Sequence, residues 1–191
     1  MSVNPGRRRV MLALAAPALG GFGPGLRAQT APSAPPPELA EALPGARLQG
    51  SRRLRYFAFH VYDIRLWSGA QAVTAANWAE QPLALELLYA RKLAGRQIAE
   101  RSLEEIKRQG DIGTAESERW LAAMIAAFPD VADGDRLTGV QLPGQGARFF
   151  FNGKLRSELM DATFARRFFG VWLAPESSEP AMREALLGPV R

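Results

Sequence analysis

The chain carries one histidine and no cysteine, and these two counts limit its chemistry. The absence of thiols excludes disulfides, thiolate nucleophiles and zinc–thiolate sites, and a single histidine excludes a histidine-cluster metal site. His60 shares one face of a predicted strand with Tyr56, Ala58 and Tyr62. That position is more typical of a histidine in a sheet than of a catalytic base or a haem ligand.

Two further sets of residues could bind a ligand. Arg101 and Glu105 stand one helical turn apart at the edge of a predicted helix's apolar stripe. The spacing favours an i,i+4 ion pair worth about 0.2–0.5 kcal/mol. The alternative is a charged rim on a binding cleft, where a buried Glu105 would become a candidate base. The hydroxyls of Tyr62 and Tyr89 could hold a ligand, or the two rings could pair within a sheet.

Composition indicates one domain of ordinary size. The chain has 191 residues, of which 47% are apolar, enough for a packed core. Basic residues outnumber acidic ones by 24 to 19, but residues 1–28 hold four arginines and no acidic residue. The remainder is close to neutral, which gives no electrostatic reason to expect a nucleic-acid partner.

Residues 1–28 have the layout of a signal peptide. Arg7-Arg8-Arg9 precede a short apolar run over residues 10–16. A membrane span needs about 20 apolar residues, so this run is too short to be one. Arg8-Arg9 also fit a twin-arginine signal, and the Sec route stays open. We therefore predict cleavage after Ala28, a periplasmic or secreted protein, a Pro/Ala-rich linker over 29–42 and a folded domain over 43–191.

Hydrophobic patterning predicts an α+β fold built on an antiparallel sheet. Residues 54–67 are rich in aromatic and β-branched side chains without Gly or Pro, which predicts one long strand. Asn152-Gly153 between apolar segments predicts a two-residue hairpin. Further strands are predicted over 83–93, 136–142 and 147–151, and helices over 95–109, 114–128, 161–169 and 178–188.

An ordered set of motifs runs through the domain. It begins with residues 50–55 leading into FHVYDIRLW at 59–67, and it ends with FFGVWLAP at 168–175 and Leu186-Leu187-Gly188. Together these motifs resemble the bacterial chalcone isomerase-like proteins over roughly residues 43–188. The resemblance implies an open-faced sandwich, in which a large antiparallel sheet is backed by a layer of helices with the ligand cleft between them.

The resemblance also implies which positions form a site. The arginine that binds the substrate's negative charge in the plant isomerases falls on Arg53, with Arg55 the close second. The family's lysine falls on Arg101, which keeps a cation, and its asparagine falls on Glu105. Related plant members bind fatty acids and keep the arginine without the isomerisation.

Two catalytic hydroxyls of the plant isomerases have no counterpart here. Their strand threonine falls on Phe57 and their helix tyrosine falls on Ile98. Losing contacts that position substrate can cost orders of magnitude in rate, so we do not expect chalcone isomerisation.

The sequence thus predicts an exported, non-catalytic binder of a fatty acid or similar small apolar acid, with no cofactor or metal. The predicted ligand-binding residues are Arg53, Arg55, Arg101, Glu105, Tyr62 and Tyr89, beside an apolar wall of Phe57, Phe59, Met124 and Trp172. One alternative is an isomerase or intramolecular lyase on another substrate, using Arg53, Arg101, Glu105 and His60. The other is an interaction protein whose cleft is filled by Phe164, Phe168 and Phe169.

Overall fold

The computed structural model describes residues 34–188, so the predicted signal peptide and residues 29–33 of the predicted linker lie outside it. Six strands form one open antiparallel sheet in sequence order. They are β1 (Arg47–Tyr56), β2 (Phe59–Ser68), β3 (Leu83–Tyr89), β4 (Arg136–Leu142), β5 (Gly146–Phe151) and β6 (Lys154–Leu159). The helices are α1 (Leu39–Ala42), α2 (Gly95–Arg108), α3 (Thr114–Ala127), α4 (Ala162–Leu173) and α5 (Pro180–Leu187). The predicted α+β class is confirmed.

One face of the sheet is covered by a layer of helices, and the main core lies between the two. Fully buried side chains such as Leu66, Ile106, Trp120 and Phe169 come from both layers. Burying a side chain of this size contributes about 1.5–3 kcal/mol. The buried stripe of α2 falls where its helical spacing predicts. The stripe predicted for α3 includes Leu121 and Ile125, which are half-buried, whereas the helix buries Trp120, Met124 and Ala127. The predicted 161–169 helix continues to Leu173.

Asp161 begins α4. Its carboxylate accepts a hydrogen bond from the backbone N–H of Phe164 at 2.9 Å, which is the expected N-cap contact. The same carboxylate accepts the indole N–H of the buried Trp120 at 2.9 Å and an N–H of Arg119 at 2.9 Å. Asp161 therefore joins the start of α4 to α3.

The segment predicted as one strand over 54–67 is a hairpin, so that prediction was wrong. Tyr56 lies opposite Phe59, and Phe57 and Ala58 form a two-residue turn between β1 and β2. Phe57 takes a positive φ of 53°, a region that favours Gly or Asn. No Gly, Asn, Asp or Pro marks this turn in the sequence. The predicted hairpin at Asn152-Gly153 is confirmed, with φ of 48° and 84°.

The outer face of the sheet is partly covered by the segment that contains α1. Leu39 and Leu43 are buried against Trp67 and Ala84. The Glu38 carboxylate accepts hydrogen bonds from Thr138 and from Arg136, which anchors the segment to β4. The C-terminal end of the segment predicted as a linker over 29–42 therefore packs on the sheet. A four-residue helix is too short to show helical periodicity in the sequence.

Candidate functional site

A cavity of about 470 Å³ lies between the helix-covered face of the sheet and helices α2 and α4. Leu85, Leu87 and Phe149 line it from the sheet, and Ile98 and Phe168 line it from the helices. Small-molecule sites are mostly apolar hollows of about 300–1,000 Å³ with a few polar groups, and this cavity fits that description.

The cavity is not filled by the phenylalanines of α4, as one of the predicted alternatives requires. Phe164 and Phe169 are fully buried in the core beside it. Phe168 is 6% exposed, stacks on Phe164 at a centroid distance of 5.5 Å and forms part of the cavity wall. These aromatic side chains therefore pack into the core and the cavity wall and do not fill the cavity.

Charged side chains line the cavity alongside its apolar residues. Arg91, Arg101, Glu105 and Glu179 are among its lining residues. Arg101 donates to Glu105 and, at 3.2 Å, to Glu104, while its own side chain is 67% exposed. Arg101 and Glu105 therefore form the ion pair that their spacing predicts and also lie on the cavity, so the two alternatives for this pair coexist.

Glu105 is the most buried of these charges. Its side chain is 8% exposed, and Nε of Arg108 lies 3.5 Å from its second carboxylate oxygen. Two arginines thus face one carboxylate, one on each oxygen. This arrangement neutralises the buried charge, as a buried carboxylate requires.

Two tyrosines lie side by side on neighbouring strands of the cavity wall. Tyr62 pairs with Tyr89 across β2 and β3, with ring centroids 5.9 Å apart in an edge-on arrangement. The Tyr62 hydroxyl accepts the indole N–H of Trp172 at 3.1 Å. Burial raises the pKa of Tyr62 to about 12. Burial, and then the charge of Tyr62, also raise the pKa of Tyr89. Both side chains therefore offer neutral hydroxyls near neutral pH.

The arginines predicted from the first strand do not line the cavity, which corrects the predicted site. Leu54 and Tyr56 of β1 line it, and Arg53 and Arg55 alternate with them along the strand. The Arg53 side chain is 51% exposed, and its Nε donates to Asp63 at 2.8 Å. That hydrogen bond lowers the pKa of Asp63 and raises the pKa of Arg53. Arg53 is thus engaged in an exposed ion pair across the hairpin.

His60 lies with this ion pair rather than with the cavity. Its Nε2 is 3.2 Å from the nearer carboxylate oxygen of Asp63. His60 does not line the cavity, so it is not placed within hydrogen-bond reach of a bound ligand, as a general base must be.

The predicted apolar wall is correct only for Trp172. Phe57 and Phe59 are 86% and 62% exposed at the hairpin, and Met124 is fully buried in the core. Arg91 lines the cavity but is not among the residues predicted from the sequence, and it lies just after β3. Its only sequence signal is a basic residue placed just after an apolar strand. Phe149 and Phe168 carry no such signal, because only the tertiary fold brings them together.

Comparisons with known proteins agree on one family and fold. A family model described as chalcone isomerase-like matches residues 47–188. An uncharacterized protein of Haemophilus influenzae is 32% identical over 142 residues, which cover 74% of this chain and 68% of that protein. A solved fatty-acid binding protein of Arabidopsis thaliana matches with a TM-score of 0.58 and 14% identity, over 75% of this chain and 87% of that one. At that identity the structural match concerns the fold alone.

Proposed function

Because the chain belongs to the chalcone isomerase-like family, we propose that it uses the family's fold to bind a fatty acid or similar small apolar acid without transforming it. The observation that carries this proposal is the open, largely apolar cavity of about 470 Å³ with arginines among its lining residues. The structural neighbour from Arabidopsis is named for fatty-acid binding, which supports the same class of ligand.

An amphiphile would bind with its chain inside the cavity and its acid group near the arginines. The apolar residues Leu85, Leu87 and Phe149 provide the surface for the chain. Arg91 and Arg101 replace Arg53 and Arg55 as the cations available to the acid group. Arginine suits this role because its guanidinium can hold a carboxylate through two parallel hydrogen bonds.

The groups that face the cavity support binding without catalysis. Ile98 stands where the plant isomerases have a tyrosine, and it supplies no hydroxyl to the lining. Glu105 is neutralised by two arginines, and the Tyr62 hydroxyl already accepts a hydrogen bond from Trp172.

A second candidate is an isomerase or intramolecular lyase acting on another substrate. The specific observation in its favour is Glu105, a buried carboxylate on the cavity wall. If this alternative holds, a bound compound should be recovered as a mixture with its isomer. In that case Glu105→Gln should stop the interconversion and leave occupancy unchanged.

We also propose that the protein is exported, with the leader removed after Ala28. Arg7-Arg8-Arg9 and the apolar run that follows support this. Within residues 34–188, no helix has the length and hydropathy needed to cross a membrane. N-terminal sequencing of the protein recovered outside the cytoplasm should begin at Gln29. An intact Met1 there would contradict the proposal, and loss of export in an Arg8→Lys, Arg9→Lys variant would select the twin-arginine route.

Native mass spectrometry followed by lipid identification tests the binding proposal. The protein purified from its own compartment should carry an acidic amphiphile. Arg101→Gln should lower its occupancy severalfold, and Arg96→Gln is a matched control. Arg96 lies on the same helix, is also 67% exposed and also pairs with a glutamate four residues later, but it does not line the cavity.

Arg53→Gln is a second control, and it should leave ligand occupancy unchanged because Arg53 points away from the cavity. Protein that carries no ligand, and that fails to bind dodecanoic acid after delipidation, would contradict the proposed function.

A further inference from the structure

The tip of the β1–β2 hairpin exposes three aromatic side chains. Tyr56 is 67% exposed, Phe57 is 86% exposed and Phe59 is 62% exposed, and we refer to these three residues as the aromatic tip. The Tyr56 and Phe57 rings touch edge-on, with centroids 4.8 Å apart. Single exposed apolar residues are common, but a contiguous group of large ones marks a surface that meets another apolar phase.

The phenylalanine at the β1–β2 turn does not stabilise the hairpin. Phe57 adopts a φ of 53°, where a side chain with a Cβ costs about 1–2 kcal/mol and Gly or Asn is preferred. The β5–β6 hairpin of the same sheet uses Asn152-Gly153 at its turn. A strained, exposed phenylalanine neither packs in the core nor eases the turn, which points to a role outside the folded domain.

Basic side chains lie beside the aromatic tip. Arg55 directly precedes Tyr56 in β1, and Arg91 and Lys92 follow β3, whose Tyr89 pairs with Tyr62 of β2. The guanidinium of Arg91 lies 5.2 Å from the centroid of the Phe59 ring, a cation–π contact, and Arg55 and Lys92 are exposed nearby in the chain. Within residues 34–188, no carboxylate lies within salt-bridge distance of Arg55, Arg91 or Lys92. Aromatic rings beside basic groups without an acidic partner are complementary to an anionic membrane, because the rings can insert at the interface and the cations can bind anionic headgroups.

The aromatic tip is continuous with the cavity. Tyr56 and Arg91 belong both to this exposed region and to the residues that line the cavity. A surface that binds at the tip would therefore lie next to this part of the cavity wall. Phe57 and Phe59 do not line the cavity, so the tip can be changed without altering the cavity wall.

We propose that the aromatic tip docks on an anionic lipid bilayer, with Phe57 and Phe59 inserted at the headgroup level and the exposed Arg55 and Lys92 on lipid phosphates. Docking at the tip stands independently of any ligand. Its consequence, that an apolar acid passes between bilayer and cavity without crossing water, rests on the proposed function.

Vesicle co-sedimentation of the purified protein tests the docking. Binding to vesicles of phosphatidylglycerol mixed with phosphatidylcholine should exceed binding to phosphatidylcholine alone and should weaken as salt is raised. Phe57→Asn should lower vesicle affinity by about tenfold, because one phenylalanine is lost from the interface. The same variant should fold at least as stably as the wild type, since Asn tolerates a positive φ.

Matched controls come from the opposite edge of the sheet. Leu155 is 53% exposed on β6, so Leu155→Asn removes a comparable apolar side chain far from the tip and should leave binding unchanged. Arg55→Gln should weaken binding to anionic vesicles, whereas Arg156→Gln, which removes an exposed charge on β6, should not.

Two results would overturn the docking proposal. One is vesicle binding that is absent, or that falls equally in Phe57→Asn and Leu155→Asn. The other is lipid-free self-association that Phe57→Asn abolishes, which would make the tip a contact between copies of the chain. Binding of dodecanoic acid in solution is measured separately on the same variants, and it should be unchanged in Phe57→Asn. If neither the wild type nor any variant binds dodecanoic acid, the result would count against the proposed function and not against docking.

Discussion

The apolar volume of the cavity, rather than its charged groups, should determine how tightly an acid is held. Arg101 is 67% exposed, so its ion pair with a ligand carboxylate is worth no more than about 1 kcal/mol, or about fivefold in affinity. Each methylene that leaves water contributes about 0.8 kcal/mol. Four buried methylenes therefore outweigh the ion pair about threefold.

Ile98→Trp tests this difference. Ile98 is half-buried on α2 and lines the cavity, so an indole there would occupy space that a ligand chain needs. Excluding four methylenes should cost about 3 kcal/mol, which corresponds to a roughly two-hundred-fold loss of affinity. The predicted order of effects is thus a large loss for Ile98→Trp and a small one for Arg101→Gln.

Displacement of a fluorescent fatty acid by dodecanoic acid measures both affinities. Leu121→Trp is the matched control, because Leu121 is half-buried on α3 and packs against the core without lining the cavity. Thermal melting of both tryptophan variants establishes that they are folded. The reasoning fails if folded Ile98→Trp binds within a few-fold of the wild type, or if Arg101→Gln loses more affinity than Ile98→Trp does.

Three further predictions concern the scaffold that holds the cavity. Asp161→Ala should lower the free energy of unfolding by about 2–4 kcal/mol in urea titrations, because α4 loses its N-cap and the indole N–H of Trp120 loses its acceptor. Burial alone would raise the pKa of Asp161, but its hydrogen bonds and the charge of Arg119 outweigh burial and lower it. The stabilisation by Asp161 should therefore be complete above about pH 4 and should disappear as pH falls through the lowered pKa. If Asp161→Ala is still less stable than the wild type in strong acid, this pH dependence is contradicted. Tyr62 and Tyr89 have raised pKa values, so their contribution to stability should be complete below about pH 10 and should decline as pH rises, through about 12 for Tyr62. Ultraviolet titration should show these two tyrosines ionising only as the protein unfolds. Ionisation of all tyrosines in the folded protein would refute this prediction. Gly95→Ala should destabilise the protein in thermal melts, because a Cβ there would lie 2.1 Å from the carbonyl oxygen of Phe128 at the end of α3. An unchanged melting temperature would contradict this and show that the backbone moves to relieve the contact.

Local signals in the sequence were sufficient for most of the secondary structure. Helices α2 and α3 show apolar residues at helical spacing, and Asn152-Gly153 is a turn that its own residue types specify. The family resemblance then supplied the order of the layers. These parts were predictable because each depends on residues close together in the chain.

The errors arose where tertiary structure overrides local preference. The turn at Phe57 contains no turn-forming residue, so β1 and β2 appeared as one strand, and the direction of Arg53 and Arg55 could not be deduced. The short helix α1 is held by burial of Leu39 and by the Glu38 contacts, neither of which leaves a periodic pattern. Phe149 and Phe168 meet at the cavity from distant segments, and no spacing in the chain records that contact.

The most direct measurement of the central claim is a crystal structure of the protein with a dodecanoic acid that carries bromine on its terminal carbon. Anomalous scattering would then locate the end of the chain independently of the rest of the ligand. We predict the bromine beside Phe149 and Phe168, with the carboxylate near Arg91 or Arg101. Bromine located only on the outer face of the sheet, or a cavity that stays empty at saturating ligand, would contradict the account.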